Sequence, residues 1–270
     1  MAGHATVAVL TYHSIGELRT RSLASLTVAP TLFDEQLSAL RDAAVGVIPF
    51  AEAPSYLAAG HSAVSITIDD GLADGAEHAA PVLARHGLTA TLFVPTAYVG
   101  GRARWLPGAD GERAMLSWNA IADLARAGLE IGSHGHRHLA ADVHAACVVR
   151  ADALASRDEL EDRLGRPIAS FAYPFGYQTR AARHAVREAG FSQACAVGDL
   201  PARAGDNRWA LPRLQIRGGT TPEEVLRLVS WRPGACRRGW AHAKQRVWHA
   251  GRRWAGWGPS EAQRVEAVGR

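Results

Sequence analysis

The chain has 270 residues and is 47% hydrophobic, enough to bury one large core, and α/β barrels use about this length as a single domain. Cys147, Cys195 and Cys236 are odd in number and lack metal-type spacing; they read as reduced thiols and exclude a disulfide framework. The net charge of +4 is uneven: seven basic side chains and no acid fall in 232–254 while 255–270 balances, leaving about −3 on residues 1–231. The basic character therefore belongs to the tail and says little about what the body binds.

In chain order, Met1-Ala2-Gly3-His4-Ala5 lacks a basic segment followed by a long apolar one, and no apolar run approaches twenty residues. Neither a standard secretion signal nor a membrane span is expected, and the expected location is the cytoplasm. Residues 5–12 read as a first strand with His13 at its carboxyl end. A loop at 14–29 leads to a helix capped by Pro30-Thr31, with Phe33, Leu37 and Leu40 as its apolar face. A strand is predicted at 45–50, a short helix at 51–59, and a third strand at 63–68 that ends in Asp69-Asp70-Gly71. A helix at 75–86, a strand at 89–94 and a Gly- and Arg-rich loop at 99–113 follow. Ser117 caps the next helix, and the strand at 129–131 runs into Ser133-His134-Gly135-His136-Arg137-His138. A long helix at 147–164 precedes a strand at 168–172 that ends in Tyr173-Pro174-Phe175-Gly176. A helix at 179–189, strands at 192–197 and 211–216 and a helix at 222–231 complete the body.

This alternation predicts parallel strands with helices outside them, closed into a distorted (β/α) barrel of seven or eight strands over residues 1–231, with 232–270 as a basic extension. In such barrels chemistry sits at the carboxyl ends of the strands. His13, Asp69, Asp70, His134, His138 and 173–176 all fall at predicted strand ends, so the topology gathers them at one mouth. Two adjacent carboxylates repel unless compensated, and a divalent cation compensates them by taking one as ligand while the other stays free as a base. A solvated Asp-Gly turn is the plainer reading of that stretch alone. His134 and His138, four apart, lie on one face if the loop enters a helix there, and with one aspartate they form a His, His, Asp set. His136 faces elsewhere.

These motifs resemble those of the polysaccharide deacetylases of the NodB-homology type, carbohydrate esterase family four. Thr67-Ile68-Asp69-Asp70-Gly71 is similar to the family's TFDDG motif, with Ile68 for Phe. The stretch from His134 to His138 is similar to its H-(S/T)-x-x-H motif, with Gly135 where a hydroxyl is usual. Phe171-Ala172-Tyr173-Pro174-Phe175-Gly176 is similar to F-R-P-P-Y-G. The resemblance implies Asp69 as general base, Asp70, His134 and His138 as ligands of a divalent metal, commonly zinc, and an oxyanion site at Tyr173, Pro174 and Phe175. The substrate it implies is an N-acetylated sugar or glycan, which loses acetate.

Two departures shape the expected site. Ala172 stands where the family has an arginine that orients the base, and Arg213 in Leu211-Pro212-Arg213-Leu214 is the candidate to fill that role. The late Leu-x-His motif is absent, since Leu214-Gln215-Ile216 has no histidine. A related branch opens with a similar Tyr-His pair, and by that likeness His13 is the expected general acid. The alternatives are a barrel that binds carbohydrate without cleaving it and a deacylase of a non-sugar amide. In the tail, Trp240, Ala243, Val247, Gly251 and Trp254 share one helical stripe, which suits either an anionic membrane surface or packing on the body. No motif supports nucleic-acid binding, and the sequence is silent on oligomeric state.

Overall fold

The computed structural model describes residues 5–17, 23–231 and 233–234. The tail stripe from Trp240 to Trp254, and Cys236, lie outside the described residues.

The backbone of the fold is a ring of seven parallel strands. β1 (Thr6–Tyr12) pairs with β4 (Ala63–Ile68), followed round the ring by β5 (Thr91–Val94), β6 (Glu130–Ser133), β7 (Ser170–Ala172), β8 (Gln193–Val197) and β10 (Leu211–Gln215). β10 pairs back onto β1, with Leu10 opposite Leu214, and closes the barrel. β9 (Ala202–Arg203) adds to β1 antiparallel. Two short strands inside the expected loop, β2 (Ser14–Ile15) and β3 (Thr27–Val28), pair with each other in parallel.

Strands buried on both faces read as nearly continuous apolar runs, and all residues of β1 and β4 are buried, their few hydroxyl side chains included. The two faces still differ. Ala8, Leu10 and Tyr12 of β1, with Val64, Ile66 and Ile68 of β4, pack outward against the helices, whereas Val7 and Val9 join Phe93, Ala172, Cys195 and Leu211 in the barrel interior. The period of two therefore sends Ser65, Thr67 and Asp69 of the third predicted strand inward. Phe93 fills much of that interior because Gly132, on the neighbouring strand, has no side chain; a Cβ there would stand 2.5 Å from the Phe93 ring.

The outer layer is α1 (Pro30–Asp42), α2 (Ala53–Ala58), α3 (Ala80–His86), α4 (Trp118–Arg126), α5 (Ala146–Leu164), α6 (Arg180–Glu188) and α7 (Pro222–Ser230). Ser117 and Thr179 cap α4 and α6 through their hydroxyls, and Thr221 and Glu224 form a capping box on α7. Three local expectations are corrected. Residues 45–50 are not a strand: only Val47 bridges to Val64, and Pro49, with no N–H to donate, passes the chain into a 3-10 turn at Phe50–Glu52. The helix expected over 75–86 opens as a π-turn at Gly75–Ala79, because Pro81 near the start of α3 removes a donor and crowds the preceding turn. Pro30 is the first residue of α1 and Ala29 precedes it without any side-chain cap, so neither Pro30 nor Thr31 acts as one.

Candidate active site

The register of the barrel builds the site. Tyr12 lies opposite Ile68, and Asp69 N–H donates to the Tyr12 carbonyl at 2.9 Å, so His13 and Asp69 leave adjacent strands side by side. His134 N–H donates to Val94 O at 2.9 Å, which makes His134 the first residue beyond β6. Arg213 sits inside β10, on the same face as Leu211, which turns it into the barrel.

Asp69 is 2% exposed, and Arg213 holds both its carboxylate oxygens, Nη1 and Nη2 each at 2.7 Å. Burial pushes the Asp69 carboxyl up, but the charge of Arg213, joined by those of His134 and His13, outweighs it and holds the group below its ordinary value. Each oxygen accepts one bond from arginine and keeps a lone pair. Asp70 turns away from its neighbour at φ 72°. Its Oδ1 lies 3.5 Å from His134 Nε2 and 3.3 Å from His138 Nε2. Burial opposes its ionisation too, yet the bonds from His134 and His138 carry its pKa well below the usual carboxylate range.

The histidine loop is not helical. Gly135 and His138 both take positive φ, 75° and 54°, and the two imidazoles converge through a turn in place of the conditional helical face. Asp152, buried on α5, holds that turn by accepting from the backbone N–H of His136 at 2.8 Å and of Arg137 at 3.0 Å. The same carboxylate explains Gly135: a Cβ there would lie 2.7 Å from Asp152 Oδ2. His136 points outward to Thr96 Oγ1 and Glu159. His134 Nδ1 donates to the Ala172 carbonyl at 2.8 Å, which leaves Nε2 facing Asp70. Position 172 thus contributes a backbone oxygen.

Asp70, His134 and His138 are all buried, and their ligand atoms lie within 4.8 Å of one another. One carboxylate oxygen and two imidazole nitrogens form a donor set that fits a divalent cation such as zinc. Burial lowers His134 as well, but Asp69 and Asp70 raise it above the ordinary imidazole value, while burial and the charge of His134 depress His138. Protons therefore compete for the site from the acid side.

These groups form the floor of a cavity of about 290 Å³ whose walls include His13, Trp105, Phe175 and Gln215. The Nδ1 of His13 is buried without a hydrogen-bond partner. Phe175, 44% exposed at φ 60°, stands at the rim. Tyr173 and Pro174 do not line the cavity. The Tyr173 side chain is fully buried in the outer core, where its hydroxyl donates to Trp209 O at 3.0 Å, so at the expected oxyanion site this segment has only its backbone to offer. Sequence reasoning missed Asp152, whose signal is one acid on the apolar side of α5, and Trp105, a lone aromatic in a polar loop.

The fold and site thus define a parallel barrel that carries an Asp-Asp pair, two histidines and an open cavity at its carboxyl end. The chain belongs to the polysaccharide deacetylase family, whose pattern matches residues 58–194, just over half of its length. YxkH of Bacillus subtilis (strain 168), described under the same family, is 23% identical over 219 residues, covering 80% of this chain and 73% of that protein. Among solved structures, the deacetylase PplD of Streptococcus pyogenes in complex with acetate superposes with a TM-score of 0.74 at 22% identity, over 84% of this chain and 99% of that one. IcaB from Ammonifex degensii gives 0.70 at 24% identity, over 86% and 99%. BC0361, a polysaccharide deacetylase from Bacillus cereus, gives 0.71 at 22% identity, over 84% and 69%. At these identities the structural likenesses establish the shared fold. No helix among the described residues is long and apolar enough to cross a membrane.

Proposed function

We propose that the protein is a metal-dependent hydrolase that removes the N-acetyl group of an amino sugar in a glycan or glycoconjugate, releasing acetate. The observation that carries this reading is Asp69, kept ionised inside the barrel by Arg213 and placed beside a three-donor set at the floor of an open cavity. A divalent cation held by Asp70, His134 and His138 supplies a charge that acidifies water and polarises an amide carbonyl.

The chain's own groups do the rest. Asp69 accepts the proton of the attacking water through its remaining lone pair, while Arg213 holds the carboxylate fixed and charged. Water adds to the carbonyl carbon, and the backbone near Phe175 steadies the oxygen on which charge develops. His13 donates a proton to the nitrogen as the C–N bond breaks, so that acetate and a free amine leave. The missing arginine at 172 and the missing late histidine motivate the alternative of a barrel that binds without turnover. Arg213 on Asp69 weighs against it, as does an unpartnered His13 nitrogen beside the cavity. The division of the chain at 231 and a tail resting on an anionic membrane belong to this reading as well.

The test is acetate release from a chitooligosaccharide or an N-acetylglucosamine conjugate, abolished by a chelator and restored by zinc or cobalt. Glycan binding at full metal occupancy with no turnover would sink the enzyme reading.

A further inference from the structure

The two histidines of the donor set are held in different ways. His134 is oriented by its Nδ1 bond to the Ala172 carbonyl. His138 is equally buried, at 3% exposure, yet its Nδ1 has no hydrogen-bond partner. An imidazole without that bond loses what ordinarily fixes both its tautomer and its ring rotation. Here the ring is surrounded by other rings. The Trp105 indole lies nearly parallel to it at 4.6 Å and 27°, Phe175 meets it edge-on at 4.8 Å, and His134 meets it edge-on at 4.9 Å.

Trp105 is itself anchored. It is 7% exposed and packs with Leu72, Ala103 and Met115 in a small apolar cluster separate from the barrel core. Its loop is folded back by bridges pairing Arg102 with Ala114 and Leu72 with Met115. The loop is also tied to the barrel by Arg113, which donates to Asp74 at 2.6 Å and to Ser14 Oγ at 2.7 Å. A flat side chain held from behind and stacked at contact distance blocks rotation of the ring it covers.

We propose that Trp105 is a positioning residue, whose stacked indole orients the His138 imidazole in place of the hydrogen bond that orients His134. The inference rests on His138 being a metal ligand. The test uses the full-length protein and Co²⁺ alone, titrated by absorbance into the metal-free wild type and into Trp105→Leu, Trp105→Phe and His138→Ala. Leucine preserves the apolar cluster and removes the flat face; phenylalanine keeps the face. Trp105→Leu should weaken Co²⁺ binding about 10- to 100-fold, as loss of an outer-sphere orienting partner does, while Trp105→Phe stays within about threefold of wild type. Metal-free melting temperatures of the two variants should agree, which a merely structural role of the indole would not produce. Should Trp105→Leu fail to fold, Trp105→Met, which fills the same space without a plane, is titrated in its place. Unchanged Co²⁺ affinity in Trp105→Leu, or equal losses in the leucine and phenylalanine variants, overturns the proposal. If His138→Ala binds Co²⁺ as tightly as wild type, the ligand reading itself falls. A wild type that depends on His138 but is indifferent to Trp105 removes only this inference.

Discussion

Both ends of the barrel bury carboxylates among polar side chains, but the two groups of carboxylates differ in how far their neighbours satisfy them. At the amino-terminal end, Thr91, Glu130, Ser170 and Gln193 open four adjacent strands. Glu130 accepts from Thr91 Oγ1 at 2.7 Å, Ser170 Oγ at 2.5 Å and the Ala51 N–H at 2.9 Å, and Gln193 donates to Ser170 Oγ at 2.9 Å. At the carboxyl end, two aspartates stand side by side, the Nδ1 atoms of His13 and His138 lack partners, and a cavity opens above them. A satisfied buried network specifies a structure, whereas unspent donors and acceptors facing an opening are groups a ligand can use. Burial of charge by itself therefore does not mark a site.

The sharpest way to break this contrast is to remove the three donors. Asp70→Ala, His134→Ala and His138→Ala should each bring activity to background and reduce bound metal, measured by acetate release and by elemental analysis. Asp69→Asn should abolish turnover with the metal retained. If Asp69→Asn emptied the site and Asp70→Asn did not, the two roles would have to be exchanged.

His13→Ala is expected to lower kcat about 10²- to 10⁴-fold with metal content intact, the range for loss of a general acid. An acetate ester, whose leaving group needs a proton less than an amine does, should suffer less. Equal losses on ester and amide would mean that His13 supports the site without donating the proton.

Arg213→Met tests the pairing that most separates this site from its family's pattern. Without the guanidinium, burial dominates and the Asp69 pKa rises, so the base is ionised only at higher pH. The acidic limb of the kcat/KM profile should move upward, and the rate at neutral pH should fall about 10²-fold, as misplaced catalytic groups do. Arg213→Lys keeps charge but not the two-pronged bond and should fall between. An unmoved acidic limb would show that Asp69 does not titrate in the rate.

The smallest effect is expected at the other end. Burial raises the Glu130 pKa above its ordinary 4.5, against the bonds from Ser170, Ala51 and Thr91. The folded state then holds a proton that the unfolded chain releases. The penalty is absent below about pH 4.5 and grows as the pH rises toward the folded pKa, at about 1.4 kcal/mol for every pH unit crossed. In Glu130→Gln that part of the pH dependence should vanish while kcat stays unchanged, as thermal melts from pH 4 to 7 and acetate release would show.

Much of this architecture is legible in the amino-acid order, and the failures are local. Strands 5–12 and 63–68 are readable because a parallel strand buried on both faces is rich in apolar and β-branched residues, interrupted here only by small hydroxyl side chains such as Ser65 and Thr67. The 45–50 run misleads because its apolar content outweighs Pro49, and the helix at 75–86 because Pro81 in its middle does not announce a π-turn. The motif at 173–176 does not tell that the Tyr173 hydroxyl turns into the core to Trp209 O.

By itself, the amino-acid order determines that Asp69, Asp70, His13 and His134 end strands of one barrel, because the period of two and the strand-helix alternation are local properties of the chain. Tertiary structure alone decides that Arg213, 144 positions from Asp69, closes on it, that Asp152 pins the histidine loop, and that Trp105 covers His138. Those contacts arise from barrel closure between β10 and β1 and from the packing of α5 and the 99–113 loop on the rim. Each joins elements far apart in the chain, and their meeting depends on the geometry of the closed barrel.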